Sequence, residues 1–287
     1  MSRRSNRPAH RTIWSWRRWI AAGEQDLWIA RLQAADCGTW TLTERPGRIR
    51  MLLAVYAEGR HEAVSLQRLW GGQVRQIRES EWIDARPTPP TRIGTRLEII
   101  HEPAPKRDRP LRPRLLIPHG MAFGSGDHAT THMLLRALSS WDRWQETRAL
   151  DVGTGSGVLA LTARLFGASR IVATDFDADA IRTARQNEAL NFSTPIIQWK
   201  QADVKRLRAG ERYDLVLANL FSGILCEAAP QLAGCVAPGG QLWLSGVLRT
   251  QADEVAAAYL RQGLHHKRTL RRGKWVMLQW SKGHATS

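Results

Sequence analysis

The sequence has few cysteines, and it has no long apolar run. Its three cysteines, Cys37, Cys226 and Cys235, form no CxxC pair. We therefore expect reduced structural thiols rather than a disulfide framework. No stretch approaches the roughly 18 to 20 consecutive apolar residues that a membrane-spanning helix needs. Together these absences predict a soluble cytoplasmic protein with no membrane partner.

Lysine is also rare, so arginine supplies nearly all of the net charge of +16. Residues 1–114 hold 22 Lys and Arg against 12 Asp and Glu, a balance of +10, and residues 115–287 hold 20 against 14, a balance of +6. The electrostatic field of such a positive net charge favours binding to nucleic acid, a ribonucleoprotein or another acidic partner. An arginine-rich composition whose basic faces are merely solvated explains the charge equally well, and both interpretations stay open.

The first 20 residues contain six arginines, three tryptophans and no acidic residue. They lack the apolar segment of a secretory signal, although an organellar transit peptide would be similarly basic. We predict a basic tail over residues 1–20, with possible RNA or ribosome contact through this end of the chain. The transit peptide is the alternative.

The front third has the pattern of a small α+β unit, assigned to residues 21–85. The predicted helices and strands, in chain order, are Glu24–Ala35 (helix), Thr39–Leu42, Ile49–Val55, His61–Trp70 (helix) and Val74–Arg78. This order suggests a ferredoxin-like sandwich whose first strand lies before Gly23. A proline-rich stretch follows over residues 86–114, and we interpret it as a linker with one strand, Arg96–His101.

From residue 115 to residue 287, strands and helices alternate. Seven strands are predicted: Ala149–Val152, Ile171–Thr174, Ile196–Trp199, Leu215–Ala218, Leu242–Ser245, Arg268–Arg271 and Trp275–Trp280. The predicted helices are Val158–Leu165, Asp177–Asn191, Gly223–Cys235 and Gln251–Gln262. Repeated βαβ units with apolar strands predict an α/β fold with a seven-stranded, mostly parallel Rossmann-like sheet. Its ligand should lie at the carboxyl ends of the strands.

A glycine loop, Asp151-Val152-Gly153-Thr154-Gly155-Ser156-Gly157, follows the first of these strands. Gly153 and Gly155 allow a sharp turn and a close approach to a ligand. The spacing is GxGxG, whereas dinucleotide sites have GxGxxG and place a pyrophosphate at the helix N-terminus. Asp151 disfavours a phosphate and suits a cationic amino group, such as that of the methionine part of S-adenosylmethionine.

Two further acids follow later strands. Asp175 lies 22 residues past Gly153, where its carboxylate can accept both ribose hydroxyls. Asp203 follows the third strand and can contact the adenine edge. For both, the alternative is a turn acid that caps the following helix. The loop, Asp175 and the βα alternation together predict S-adenosylmethionine as the cofactor.

Two more segments indicate which family of S-adenosylmethionine-dependent proteins the chain resembles. They are Ala218-Asn219-Leu220 and Pro118-His119-Gly120-Met121-Ala122-Phe123-Gly124-Ser125-Gly126-Asp127-His128-Ala129-Thr130-Thr131. With the glycine loop, they resemble the bacterial ribosomal protein L11 methyltransferase family over about residues 80–282. The resemblance implies cofactor contacts at Thr131, Gly153, Asp175 and Asn219, in a cavity also lined by Phe123, His128 and Thr130.

The resemblance also implies methylation of lysine and N-terminal amines on a ribosomal protein, with the small front domain docking that substrate. The chain departs from the family pattern at Ser125, Asp127, Thr154 and Phe221, and its first 80 residues match poorly. These departures leave the cofactor prediction intact but not the identity of the substrate. The alternatives are an RNA or base methyltransferase and a non-catalytic ribosome- or RNA-binding module.

Asn219 and His128 are the candidate catalytic residues. The Asn219 side-chain carbonyl can accept a hydrogen bond from the substrate amine; alternatively, Asn219 only turns the chain after a strand. His128 can pack over the cofactor or assist proton removal. It is spaced i, i+4 from His132, but no third ligand is evident, so no metal is expected. Phe221 either faces the sulfonium by a cation–π contact or lies in the core.

Overall fold

The computed structural model describes residues 13–35, 37, 40–44, 50–57, 59–77, 90–103, 111–118, 126, 128–207 and 210–284. The chain divides into two compact units, Met1–Pro87 and Thr88–Ser287. Within the described residues, no helix is both long and apolar enough to cross a bilayer. The assignment of residues 21–85 to substrate docking remains a prediction.

The front unit is a four-stranded antiparallel sheet with two helices. Its elements are β1 (Ile13–Ala21), α1 (Gln25–Ala34), β2 (Trp40–Glu44), β3 (Arg50–Ala57), α2 (Arg60–Trp70) and β4 (Gln73–Ile77). The strand order is β2-β3-β1-β4, and every neighbouring pair is antiparallel. This βαββαβ unit confirms the ferredoxin-like prediction, and β1 is the strand expected before Gly23.

Residues 13–20 therefore do not belong to a basic tail, because they form most of β1. Trp16 is fully buried, and its ring lies 6.2 Å from that of Trp28 and 5.7 Å from that of Trp70. The neighbouring Arg18 places its guanidinium 5.0 Å from the Trp28 ring, a cation–π contact that lets a basic residue pack beside the core. The arginine content of this segment concealed a strand. Residues 1–12 lie outside the described residues.

A small three-stranded sheet opens the second unit. It consists of β5 (Thr91–Ile93), β6 (Leu97–Ile100) and β7 (Arg114–Leu116), with β5–β6 antiparallel and β6–β7 parallel. The predicted linker over residues 86–114 thus contains two strands more than expected. The prolines misled the prediction because Pro103 and Pro113 lie outside the strands, where they remove no ladder hydrogen bond.

The main sheet has seven strands in the order β10-β9-β8-β11-β12-β14-β13. The pairs among β8 to β12 are parallel, and β14 is antiparallel to both β12 and β13. This confirms the Rossmann-like prediction. The elements are α3 (Ala129–Ser139), β8 (Arg148–Val152), α4 (Val158–Leu165), β9 (Arg170–Asp175), α5 (Ala178–Asn191), β10 (Gln198–Gln201), β11 (Tyr213–Asn219), α6 (Ser222–Glu227), α7 (Ala229–Gly234), β12 (Val236–Leu248), α8 (Ala252–Leu260), β13 (Leu264–Arg272) and β14 (Trp275–Lys282).

The single helix predicted over Gly223–Cys235 is instead two short helices, α6 and α7. The break is at Ala228, whose φ of −91° and ψ of 9° leave the helical range. Pro230 follows in the first turn of α7, where its missing N–H costs no hydrogen bond. In a continuous helix the same proline would remove one bond and clash with the preceding turn.

Candidate functional site

The candidate site lies at the carboxyl edge of the parallel strands. Strands β8, β9 and β11 are parallel neighbours in the order β9-β8-β11. Asp151 is the second-to-last residue of β8, while Asp175 and Asn219 end β9 and β11. Because parallel strands present their carboxyl ends at one edge, three residues spread over 69 positions come together.

The glycine loop has the backbone conformation that its glycines predict. Gly153, Gly155 and Gly157 have φ values of +71°, +54° and +83°, which L side chains rarely adopt. Gly153 N–H donates to Thr174 O at 2.8 Å, and a Cβ on Gly153 would collide with the Leu220 side chain. A Cβ on Gly157 would lie 2.8 Å from the Trp199 ring. The first glycine therefore permits close packing of the loop, and the last permits packing of α4 on its neighbours.

Asp175 is attached directly to this loop. Its side chain is nearly buried, with 7% exposed. One carboxylate oxygen accepts from Gly155 N–H at 2.9 Å, and the other accepts from Asp177 N–H at 3.1 Å. Each carboxylate oxygen has a second lone pair, so both remain able to accept a hydroxyl. The backbone of the glycine loop thus orients the Asp175 carboxylate, which is predicted to bind the ribose.

Asp151 is buried beneath the same loop. Its Oδ2 accepts from the Thr154 hydroxyl at 2.5 Å and from Ala160 N–H at 3.2 Å. Its Oδ1 is buried and has no hydrogen-bond partner in the described part of the chain. Burial raises the pKa of this carboxyl to about 7, since desolvation disfavours the charged form. An incoming cation at Oδ1 would restore the charged state.

Asn219 has a second acceptor of this kind. Its Nδ2 donates to the Thr131 hydroxyl at 3.1 Å, which orients the side-chain amide. Its Oδ1 is buried and accepts no hydrogen bond from any residue that the structure describes. Buried polar atoms are nearly always paired in folded proteins. The carbonyl, unpaired within the described residues, therefore indicates that a further donor belongs here.

The first turn of α3 is capped by His128 and is joined to this edge by a hydrogen bond from Ser245. His128 is the N-cap, and its Nδ1 lies 2.7 Å from the Thr130 hydroxyl and accepts from Thr130 N–H. Ser245 on β12 donates its hydroxyl to Thr130 O at 3.1 Å. The His128 ring also packs edge-on against Trp275, with centroids 5.1 Å apart. The bond from Ser245 and the hydrogen bond between Thr131 and Asn219 place the start of α3 at the carboxyl edge. The roles of Thr130, Thr131 and His128 toward the cofactor remain predictions.

Of three further predicted residues, two can be placed. Asp203 accepts from Lys205 N–H at 2.9 Å and caps the turn Val204–Arg206, which is the alternative role given for it, and its contact with adenine remains a prediction. Phe221 is 56% exposed at the start of α6, which excludes the core role. Phe123 lies outside the described residues.

Sequence reasoning missed two residues at this edge. Ser245 ties α3 to β12, and Phe176, which directly follows Asp175, is 76% exposed. The signals were present in each case: a polar residue after the apolar run Leu242-Trp243-Leu244, and an aromatic residue next to a strand-end acid. Their roles depend on neighbours far away in the chain, so neither signal was decisive.

Comparisons with known proteins point to one family. The model of the ribosomal protein L11 methyltransferase family matches residues 49–283. Curated ribosomal protein L11 methyltransferases from Heliobacterium modesticaldum and Geobacter metallireducens are 35% and 37% identical over 207 and 213 residues. These matches cover 70% and 73% of this chain but only 64% and 69% of the relatives. The crystal structure of a ribosomal protein L11 methylase from Lactobacillus delbrueckii subsp. bulgaricus aligns with a TM-score of 0.61 at 26% identity, covering 68% of this chain and 99% of that one.

Proposed function

Because the chain belongs to the ribosomal protein L11 methyltransferase family, we propose that it uses S-adenosylmethionine to methylate amines of a large-subunit ribosomal protein. The amines are lysine side chains or the N-terminal amine, and the cytoplasm is the expected location. The observation that carries the proposal is the buried Oδ1 of Asn219, which has no partner among the described residues and lies beside a glycine loop held by Asp175.

The residues at the carboxyl edge fit S-adenosylmethionine. Asp175 would accept the ribose hydroxyls, the positive-φ turn at Gly153 and Gly155 would admit the ligand close to the backbone, and Asp151 Oδ1 would pair with the amino group. The exposed ring of Phe176 would cover one face of the adenine. When bound, the cofactor supplies an electrophilic methyl group on a sulfonium.

Asn219 would orient the nucleophile. A lysine amine has a pKa near 10.4, so about one in 10³ is neutral at pH 7, which corresponds to about 4 to 5 kcal/mol. Enclosure at the site lowers this cost because desolvation disfavours the ammonium. The Thr131 hydrogen bond holds the amide so that its carbonyl accepts an amine N–H. The lone pair is then directed at the methyl group, and positioning provides most of the rate enhancement.

His128 has a positioning role in this proposal. Its Nδ1 accepts from Thr130 N–H, so a neutral ring keeps its proton on Nε2, which then cannot act as a base. Phe221, exposed two residues after Asn219, would face the methylated ammonium by a cation–π contact. Asp203 would contact the adenine edge while its carboxylate keeps the capping bond from Lys205 N–H.

The decisive experiment is transfer of a radiolabelled methyl group from the cofactor to ribosomal subunits and to free ribosomal proteins, followed by separation of protein from RNA. The proposal expects label in one ribosomal protein. Label in RNA would instead identify an RNA methyltransferase. Cofactor binding without any transfer would indicate a non-catalytic module.

A further inference from the structure

A second cleft, separate from the carboxyl-edge site, opens between α3 and strands β12, β13 and β14. Its volume is about 880 Å³. Arg136 lies on its α3 wall, and Arg268, Arg271 and Arg272 lie on its β13 wall, with Trp141 at one end. We call it the arginine cleft. It shares helix α3 with the candidate site but none of the residues assigned to the cofactor.

The four arginines carry uncompensated charge. All four are exposed, and within the described residues none forms an ion pair with a carboxylate. The described residues that line the cleft include no acid. Guanidinium groups gathered around one cleft repel each other, so a polyanion that enters it gains favourable interactions with all four.

The strand pleat explains how β13 presents this charge. Past the irregularity between His266 and Arg268, alternation along the strand places Arg268, Leu270 and Arg272 on the face of the cleft. Arg271 lies between them, and it borders both this cleft and another one beside α8. β13 is the last strand of the sheet, and basic residues on an edge strand also deter pairing with other chains. Edge protection does not account for Arg136, which comes from a helix. The convergence of helix and strand on one cleft indicates a binding surface.

Trp141 adds an aromatic surface to the cationic one. Its ring is half-buried, and it packs edge-on against Trp243, with centroids 5.3 Å apart at 85°. Its indole N–H donates to the Thr147 hydroxyl at 3.2 Å, so the ring is held in place. Cationic grooves with fixed aromatic rings suit single-stranded nucleic acid, whose phosphates bind the cations while its bases stack.

We propose that the arginine cleft binds single-stranded RNA, with phosphates at Arg136, Arg268, Arg271 and Arg272 and a base on Trp141. The Arg272 end is level with the carboxyl edge, because Trp275 pairs with both Arg272 and Leu248, and its ring contacts His128. RNA in the cleft would therefore pass beside the candidate site without entering it. This inference goes beyond methyl transfer and does not depend on it.

The test is fluorescence anisotropy of the full chain with a fluorescein-labelled, mixed-sequence 20-nucleotide single-stranded RNA. A cleft variant changes Arg136, Arg268, Arg271 and Arg272 to Gln. A control variant makes the same change at Arg50, Arg68, Arg206 and Arg261, which are also exposed and are not among the residues that line the cleft. We expect the Kd to rise at least about tenfold in the cleft variant and less than about threefold in the control.

The salt dependence of RNA binding distinguishes the loss of direct phosphate contacts from a mere reduction of net charge. Loss of four phosphate contacts should reduce the slope of log K against log salt by about 3, whereas the control should keep most of its slope. Trp141→Leu should raise the Kd by about fivefold with an unchanged slope. A variant with Lys at the four cleft positions should bind within about threefold of the original chain, because either cation neutralises a phosphate. An unchanged unfolding temperature of the Gln variant excludes misfolding as the cause of the loss.

Three outcomes would overturn the proposal. The original chain fails to bind the RNA; the cleft and control variants weaken equally; or a 20-residue polyglutamate binds as tightly as the RNA and is lost in the cleft variant, which would identify an acidic protein partner. Cofactor affinity is measured on the same samples, so failure of RNA binding and failure of the proposed transferase function are told apart.

Discussion

The carboxyl edge of the main sheet and the arginine cleft both adjoin α3, and they hold their polar groups in opposite environments. At the edge, the Asp151 and Asn219 acceptors are buried and unpaired within the described residues. In the cleft, the guanidinium groups are exposed to solvent. A buried acceptor discriminates strongly, because leaving it unpaired costs about 1 to 3 kcal/mol. Exposed cations instead attract any polyanion through a field that salt screens.

The largest effect should come from the buried acceptor of Asn219. Asn219→Ala removes the carbonyl that orients the amine, so turnover should fall at least about 100-fold. Cofactor affinity should change less than about threefold. Thr131→Val, which removes only the hydroxyl that holds the amide, should reduce turnover by about tenfold. Methyl-transfer kinetics and calorimetry measure the two quantities, and unchanged turnover in Asn219→Ala would remove its assigned role.

The next largest effect should be on cofactor affinity. Asp175→Ala removes the carboxylate that would accept the ribose hydroxyls, and we expect affinity to fall about 30-fold. Asp179→Ala is the matched control, because Asp179 is 65% exposed in a surface pair with Arg182, and it should change affinity less than about twofold. Equal losses in the two variants, measured by calorimetry, would refute ribose binding by Asp175.

A smaller effect should be the change of cofactor affinity with pH. The pKa of Asp151 is raised to about 7 by burial, so below pH 7 an ammonium must displace a proton, and cofactor affinity should fall by up to about tenfold per pH unit. The cofactor-free protein should show the opposite trend. A raised folded-state pKa contributes stability that is complete below about pH 4 and is lost as pH rises through 7.

Calorimetry and thermal unfolding between pH 5.5 and 7.5 measure both trends, since an α-amino group stays mostly cationic over that range. Asp151→Asn should flatten both curves, because the amide does not titrate. A pH dependence that persists in Asp151→Asn would assign the titration to another group.

The smallest effect should be that of cleft substitutions on cofactor affinity at the carboxyl edge. The cleft variant with four Gln substitutions should change cofactor affinity less than about twofold, because the residues that line the cleft include none of those assigned to the cofactor. Raising the salt concentration from 50 to 300 mM should likewise change cofactor affinity little while weakening RNA binding steeply. A large loss of cofactor affinity in the cleft variant would mean that the two regions are one site.

The sequence predicted the glycine loop and Asp175 correctly as neighbours because their relation is local. A βαβ unit with an apolar strand on each side places a loop and the next strand end together regardless of distant packing. The order of elements in the front unit followed in the same way. The strand at residues 13–21 was harder to predict, because the arginines near Trp16 make the composition of this segment similar to that of a basic tail.

Tertiary contacts decided the rest. The Ser245–Thr130 bond joins residues 115 positions apart, and Arg136 meets Arg268 and Arg272 only because α3 packs on β12, β13 and β14. No periodicity records such contacts, since each residue is unremarkable within its own element.

By itself, then, the sequence determined the two α/β architectures, the cofactor loop and its strand-end acid, because hydrophobic periodicity and glycine conformation act over a few residues. Only the tertiary structure decided which buried acceptors lack a partner among the described residues and where the exposed arginines converge. Pairing and burial depend on every element that packs around an atom, and those elements are brought together by folding.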